Sequence, residues 1–187
     1  MARSPVIETR NLRIVPFSEG FLTERYVGWL NDPEVVRFSR QRNRTHTLES
    51  CRDYLATFDG TPNHFWAIVS RNHEQGHIGN MNAYVDTMHQ VADLGILIGE
   101  RSVWGRGYGT EAWAAVCDYL FRSTGIRKIT AGALAVNSAM AALARKAGMI
   151  EDGRRIRQYL FEGAETDVVH WALFRKDWLE RAEGGSR

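Results

Sequence analysis

Apolar and polar positions change period several times along the chain, and the changes mark its elements. "NLRIVPF" alternates, with Leu12, Ile14 and Pro16 on one face, and predicts a first strand. Phe21, Tyr26, Trp29 and Leu30 recur at helical spacing. "NDPEVV" carries a helix-start signal, because Asp32 can cap and Pro33 suits a first turn whose N–H has no partner anyway. Thr47 opens a further helix with Leu48, Cys51, Leu55 and Phe58 as its stripe, and "TPN" ends it. "HFWAIVS" and "GHIGNMNAYV", separated by the polar "RNHEQ", predict an antiparallel pair. "ADLGILIG" is almost continuously apolar, as in a strand covered on both faces. A helix over Thr110–Ser123, a strand over Lys128–Val136 and a helix capped by Asn137 and stopped by Gly148 follow. "GRRIRQYLF" and "DVVHWALF" close the pattern as two strands joined around "EGAE", and "RAEGGSR" reads as a frayed tail.

This order predicts an α+β fold: a mixed, mostly antiparallel sheet of about seven strands with helices on both faces. No repeat or linker divides it, so one domain is expected over residues 1–180, with a flexible tail at 181–187. The 187 residues suffice for a sizeable core. A formal net charge of +2 points to neither nucleic acid nor membrane surface as a partner. No apolar run reaches the ~20 residues of a membrane span, and "MARSPVIETRNL" lacks the apolar stretch of a secretory signal. Cys51 and Cys117 have no metal-ligand spacing and make no disulfide framework. A cytoplasmic protein with reduced thiols, no metal, and a monomeric or homodimeric state is expected.

One stretch asks for a chemical reason. "SVWGRGYGTEAW" sets Gly105, Gly107 and Gly109 at alternate positions between a strand and a helix. The first N–H groups of a helix lack internal partners and lie at the positive end of its dipole. Glycines there let an anion approach without meeting a Cβ, and Arg106 adds charge, so the run reads as a diphosphate site. A plain tight turn is the other reading. The spacing is neither that of the dinucleotide fingerprint nor that of the ATP-binding loop.

"DLGILIGERSVWGRGYGTEAW", followed by a strand and "NSAMAALARKAGM", resembles the acetyl-CoA-binding core of the GNAT acetyltransferases. It is most similar to the branch of ribosomal-protein and amino-sugar N-acetyltransferases, and "ETRNLRIVPF", "WLNDPEV" and "DVVHWALFRKDW" fit that branch too. The resemblance implies an N-acetyltransferase with acetyl-CoA as cosubstrate. It implies that the backbone of Arg106, Gly107, Tyr108, Gly109 and Thr110 holds the pyrophosphate. It also implies that the strand at Leu94–Ile98 parts from the strand at Lys128–Val136, so that the pantetheine arm pairs like a short strand with the backbone near Leu97, Ile98 and Gly99. Asn137 fits a position whose amide reaches that arm, and it is equally a helix cap. The chain departs from the pattern in three places: Trp104 begins the loop where the family often has Gln or Arg, although aromatic residues are common there in this branch; Ala144 stands where many relatives carry a Tyr that could protonate the departing thiolate; and Met140 stands where some carry Ser.

The implied mechanism is direct attack of a neutral amine on the thioester, with no covalent enzyme intermediate. A backbone N–H of the Leu94–Ile98 strand would hold the oxyanion, worth about 3 kcal/mol. A thiolate leaves passably without an acid, since a free thiol has a pKa of about 8.5. Asp93, opening that strand, is the leading catalytic base, with a solvated strand end as the alternative. His77, His89 and His170 are weaker candidates, and His170 reads as a core histidine. Cys51 and Cys117 read as core. Asn80 and Asn82 either line the acceptor cleft or wet a sheet face. Among Arg37, Arg40, Arg42 and Arg44, the last two are expected to meet an anionic acceptor such as a nucleotide-linked amino sugar; a solvated basic loop is the alternative. A small-molecule amine, a protein N-terminus as acceptor, and a non-catalytic coenzyme-A-binding module all stay open.

Overall fold

In the computed structural model, which describes residues 4–74 and 76–184, the first predicted strand keeps its alternation. Strand β2 (Leu12–Pro16) buries Leu12 and Ile14 completely and leaves Arg13 exposed between them. It is preceded by β1 (Ile7–Glu8), antiparallel to it and too short to show a period in the sequence. The other strands are β3 (His64–Ser70), β4 (His77–Asp86), β5 (Val91–Ile98), β6 (Lys128–Leu134), β7 (Ile150–Phe161) and β8 (Ala164–Phe174). The eight form one sheet in the order β1-β2-β3-β4-β5-β6-β8-β7, one strand more than the pattern predicts because of β1. Glu162 and Gly163, both at positive φ (51° and 83°), make the two-residue turn between β7 and β8.

Helix α1 (Glu24–Asn31) starts at Thr23, whose side chain accepts from the Tyr26 N–H. Residues Glu19–Phe21 form a separate 3-10 turn, so the helix begins later than the apolar spacing predicts. No helix starts at "NDPEVV": Asp32 instead ends α1, and its carboxylate accepts from the Glu34 N–H at 2.9 Å as a local turn. An Asp-Pro pair serves either purpose, and here the turn wins. Thr47 and Ser50 make a reciprocal capping box for α2 (Leu48–Ala56). Helices α3 (Tyr108–Ser123), α4 (Ser138–Ala147) and α5 (Arg175–Gly184) complete the chain. Gly148 stops α4 at φ 74°. The segment expected as a tail begins inside α5, and residues 185–187 lie outside those described.

Each sheet face carries a core. On one, Ala92, Leu94, Ile96 and Ile98 of β5 pack with Trp113, Val116, Leu120 and Phe121 of α3 and with Ala144 of α4. On the other, Leu97 packs with Tyr26, Trp29 and Leu30 of α1 and Cys51 of α2. His77 lies in the second core within an aromatic box that includes Phe17, Phe21 and Trp29, and burial pushes its pKa down to about 4. It is a neutral core histidine.

The one parallel pairing, β5 with β6, has three rungs: Val91 with Lys128, Ala92 with Ile129 and Asp93 with Thr130. Beyond them β5 stays paired to β4 as far as Ile98, and β6 to β8 as far as Leu134. The two strands part while each is held from its outer side. A wedge opens through the middle of the sheet, as the resemblance implies.

Arg25 ties the mouth of this wedge to α1, donating to the His77 carbonyl at 2.7 Å and to the Glu100 carboxylate at 2.6 Å. The Ser102 hydroxyl and Arg25 lower the Glu100 pKa from 4.5 to about 2. A depressed carboxyl stabilises the fold above its unfolded value and loses that effect as pH falls through the folded one. Glu100→Gln is therefore expected to lower the urea midpoint at pH 7 and to lower it less at pH 3.

Candidate active site

The glycine loop is anchored before it reaches its helix. Gly99 follows β5 directly beneath the Trp29 indole, where an added Cβ would lie 2.1 Å from the ring. The Trp104 Nε1–H donates to the Ile98 carbonyl at 2.8 Å and pins the loop to the strand end. Gly105 and Gly107 adopt φ of 76° and 85°, so the turn itself demands glycine at both. Gly109 differs. It is helical, and a Cβ there would meet only Ile98, Ile96 and Leu143 at ordinary contacts of 3.6–4.0 Å. Nothing among the described residues requires glycine at 109.

Gly107 caps α3 without a side chain, and the first helical bond runs from the Glu111 N–H to its carbonyl at 3.0 Å. The N–H groups of Tyr108, Gly109 and Thr110 have no partner among the described residues. Arg106 beside them is exposed and makes no ion pair among those residues. A carboxylate in this first turn would oppose an anion, but Glu111 is turned away. It accepts from the Thr9 hydroxyl at 2.6 Å and from the Asn11 backbone and side chain at 2.9 and 3.0 Å. Burial works to raise its pKa, and these bonds more than offset that, holding it below the usual range.

The floor of the wedge is stripped of side chains. One position past the last same-face rung, Asp93 with Thr130, both strands carry glycine: Gly95 on β5 and Gly132 on β6. A Cβ on Gly95 would lie 2.5 Å from Asn82 Oδ1, and one on Gly132 would lie 3.1 Å from His170 Nδ1. Asn82 from β4 and His170 from β8 thus lie flat across the strands that part. His170 belongs to this polar face and not to the core, contrary to its reading from sequence. Its Nε2 has no hydrogen-bond partner among the described residues. Asp93 accepts from the Thr130 hydroxyl at 2.7 Å. Solvent reaches it, but crowding by protein raises its pKa, against smaller opposing effects of Thr130 and His170.

On the same face a cavity of about 320 Å³ lies between α1, α2 and the β4–β5 pair. Asn80, Asn82 and Gly95 form its floor, and Tyr54 and His46 line it. Asn80 is 9% exposed, and its Oδ1 has no partner. A larger, outer cavity of about 630 Å³ shares Arg44 with it and adds Arg37, Arg42 and Glu162. Most of the arginines have structural work there. Arg37 pairs with Glu162 at 2.9 Å, Arg42 donates to the Leu160 carbonyl at 3.2 Å, and Arg40 stacks over Tyr159. Together they clasp the segment after α1 to the tip of the β7–β8 hairpin. Only the Arg44 guanidinium is without a partner among the described residues and faces both cavities.

Other candidates sit elsewhere. The Gly99 N–H donates to the Ile78 carbonyl at 3.0 Å, into β4, and Leu97 packs toward α1. Asn137 caps α4 through its Oδ1 to the Met140 N–H at 3.0 Å, which leaves its amide N–H₂ free. Ala144 is fully buried. His89 pairs with Asp86 in an exposed turn. Cys51 and Cys117 are buried free thiols, and burial raises the pKa of both. No helix of the described residues is long and apolar enough to cross a membrane.

A family model described as the acetyltransferase (GNAT) domain matches residues 11–150. The chain belongs to the GNAT acetyltransferases, whose acetyl donor is acetyl-CoA. Its fold is similar to that of spermidine N-acetyltransferase from Vibrio cholerae in complex with CoA and spermine, at TM-score 0.81 and 16% identity over 91% of this chain and 99% of that one. Ribosomal-protein-S5-alanine acetyltransferase from Vibrio fischeri matches at TM-score 0.79 and 16% identity over 94% and 99% of the two chains. A ribosomal L7/L12 alpha-N-protein acetyltransferase in complex with coenzyme A matches at 0.78 and 16% over 91% and 98%. No curated protein sequence matches the chain.

The two kinds of glycine in the loop separate by stability. Gly107→Ala is expected to cost about 1 kcal/mol in chemical denaturation, because φ is 85°. Gly109→Ala is expected to gain about 0.5 kcal/mol, since alanine suits a helix better than glycine.

Proposed function

We propose that this acetyltransferase acylates the primary amine of a hydroxylated small molecule, an amino sugar or sugar nucleotide, in the cytoplasm. The observation that carries the reading is the glycine-floored wedge between β5 and β6, which opens at three unpartnered helix N–H groups on one side and at the inner cavity on the other. Acetyl-CoA supplies an activated acetyl group to this site. The N–H groups of Tyr108, Gly109 and Thr110, with Arg106, take its pyrophosphate. The parted backbone edges, from Leu97 and Ile98 on β5 to the Asn137 amide beyond β6, take its amide-bearing arm. The acceptor amine, seated over Gly95 in the inner cavity, attacks the acetyl carbon, and a β5 backbone N–H holds the oxyanion. Asp93, fixed by Thr130, closes the lower end of the floor.

The lining of the inner cavity supports the acceptor class. It has no Asp or Glu, one Arg, and a set of hydroxyl and amide groups that includes Ser39, Gln41, Thr45, Asn80 and Asn82. A polyamine needs carboxylates to offset its desolvation. A polyhydroxylated amine needs the neutral donors and acceptors present here. Arg44, at the junction with the outer cavity, suits a phosphate on the acceptor.

Gly109→Ala is expected to weaken coenzyme A binding by calorimetry at least ~10-fold without lowering stability. Thiol release from acetyl-CoA should be at least ~100-fold faster in kcat/KM with a uridine-diphosphate amino sugar than with spermidine. Preference for spermidine or for a peptide N-terminus would overturn the acceptor class. Tight coenzyme A binding with no release against any amine would make the protein a binding module.

A further inference from the structure

A buried polar atom without a partner needs a reason. The inner cavity holds two, Asn80 Oδ1 and His46 Nε2. The backbone of His46 is held in place. Its N–H donates to Asn31 Oδ1 at 2.8 Å, and its carbonyl accepts from Asn31 Nδ2 at 2.9 Å. Asn31 ends α1, and the next residue, Thr47, caps α2, so both helices fix the backbone that carries the imidazole.

The groups that share the cavity decide what the ring can do. From α1 comes Tyr26, and from α2 come Cys51 and Tyr54. Burial raises the pKa of all three, so each keeps its proton at neutral pH. Arg44 comes from the segment before His46 and stays charged. β4 and β5 contribute only the amides Asn80 and Asn82 and apolar or bare positions, and no carboxylate lines the space. Asp93 lies one same-face position below Gly95, outside that lining and tied to Thr130. Imidazole is the side chain that ordinarily accepts a proton near neutrality. His46 is the only imidazole lining the cavity among the described residues.

We infer that His46 is the catalytic base of the acetyl transfer, acting through Nε2, and that Asn80 Oδ1 orients the acceptor amine beside it. The inference rests on the N-acetyltransferase reading above and names the residue that prepares the nucleophile. The acceptor arrives as an ammonium, R–NH₃⁺. One proton passes to His46 Nε2, and Asn80 Oδ1 accepts a remaining N–H. The freed electron pair forms the C–N bond to the acetyl carbon. The C–S bond breaks with its pair going to sulfur, and the second proton moves from the new amide nitrogen to the thiolate. His46 returns its proton to solvent.

The test is His46→Gln assayed with two probe amines, glucosamine and 2,2,2-trifluoroethylamine, the second of which is already neutral at pH 6.5. The expected result is a loss of at least ~100-fold in kcat/KM for glucosamine, with the shape of its pH profile changed. The rate with trifluoroethylamine should stay within ~3-fold, because that amine needs no base. Coenzyme A affinity by calorimetry should not change, and His89→Gln, in an exposed turn, should keep the full pH profile. Equal loss with both amines would mean a structural role and overturn the assignment, as would unchanged glucosamine turnover. His46→Asn repeats the test if the glutamine variant does not fold. Absence of thiol release from the unmodified protein with both amines overturns the assignment together with the reading beneath it. Coenzyme A binding then tells whether the cofactor site itself stands.

Discussion

Three rungs of parallel ladder hold β5 against β6, and then the strands separate although both continue. Backbone N–H and C=O groups inside a sheet normally find partners, because leaving them unpaired costs about as much as a lost hydrogen bond. The wedge persists because β4 holds β5 to Ile98 and β8 holds β6 to Leu134, so closing it would break ladders already made. What fills it must bring hydrogen-bond donors and acceptors to the parted edges. The split also decides where the side chains go. Ala92, Leu94, Ile96 and Ile98 are committed to the core beneath α3, which leaves Asp93, Gly95 and Leu97 on the opposite face, where Gly95 and Leu97 line the cavity beneath α1 and α2.

Two helices begin where the parallel strands end. In an open sheet, the crevice beyond the carboxyl ends of such strands is the expected place for a ligand. Here α3 leaves β5 through the glycine loop, and α4 leaves β6 through Asn137. Both helices thus present their positive ends at the carboxyl ends of the parted strands, a placement that favours an anion. Anchorage of the loop by the Trp104 indole and of its approach by Gly99 under Trp29 gives the first N–H groups of α3 fixed positions. The departure at Trp104 therefore replaces a polar loop residue with a strut.

Much of this was legible because it depends on local pattern. The glycine run, the Asn137 cap, the Gly148 stop and the nearly unbroken apolar strand each express a requirement of a few neighbouring residues. The misreadings share the opposite cause. Asp32 and Pro33 satisfy a helix start and a turn equally well, and only the packing after α1 chooses between them. The arginine run looked free because its partners, Tyr159, Leu160 and Glu162, come from a hairpin far along the chain. His170 sits among apolar residues in sequence, yet alternation puts it opposite Gly132, on the polar face. His46 carries no periodic signal at all, lying between a basic turn and a helix cap. It gains meaning only in the cavity it shares with Asn80, a residue the sequence offered as either cleft lining or a wetted sheet face.

Where the resemblance implies a Tyr in many members and a Ser in some, either able to protonate the departing thiolate, this chain has Ala144, which is fully buried, and Met140. The chemistry tolerates this loss because the two ends of the transfer are unequal. A thiol near pKa 8.5 leaves as an anion at little cost, whereas an acceptor that arrives as an ammonium has no pair to donate until it gives up a proton. The demand for proton transfer therefore falls on the acceptor side, in a cavity whose tyrosines and cysteine are locked in their protonated forms by burial. A base belongs on that side, and the fold holds an imidazole there by its backbone.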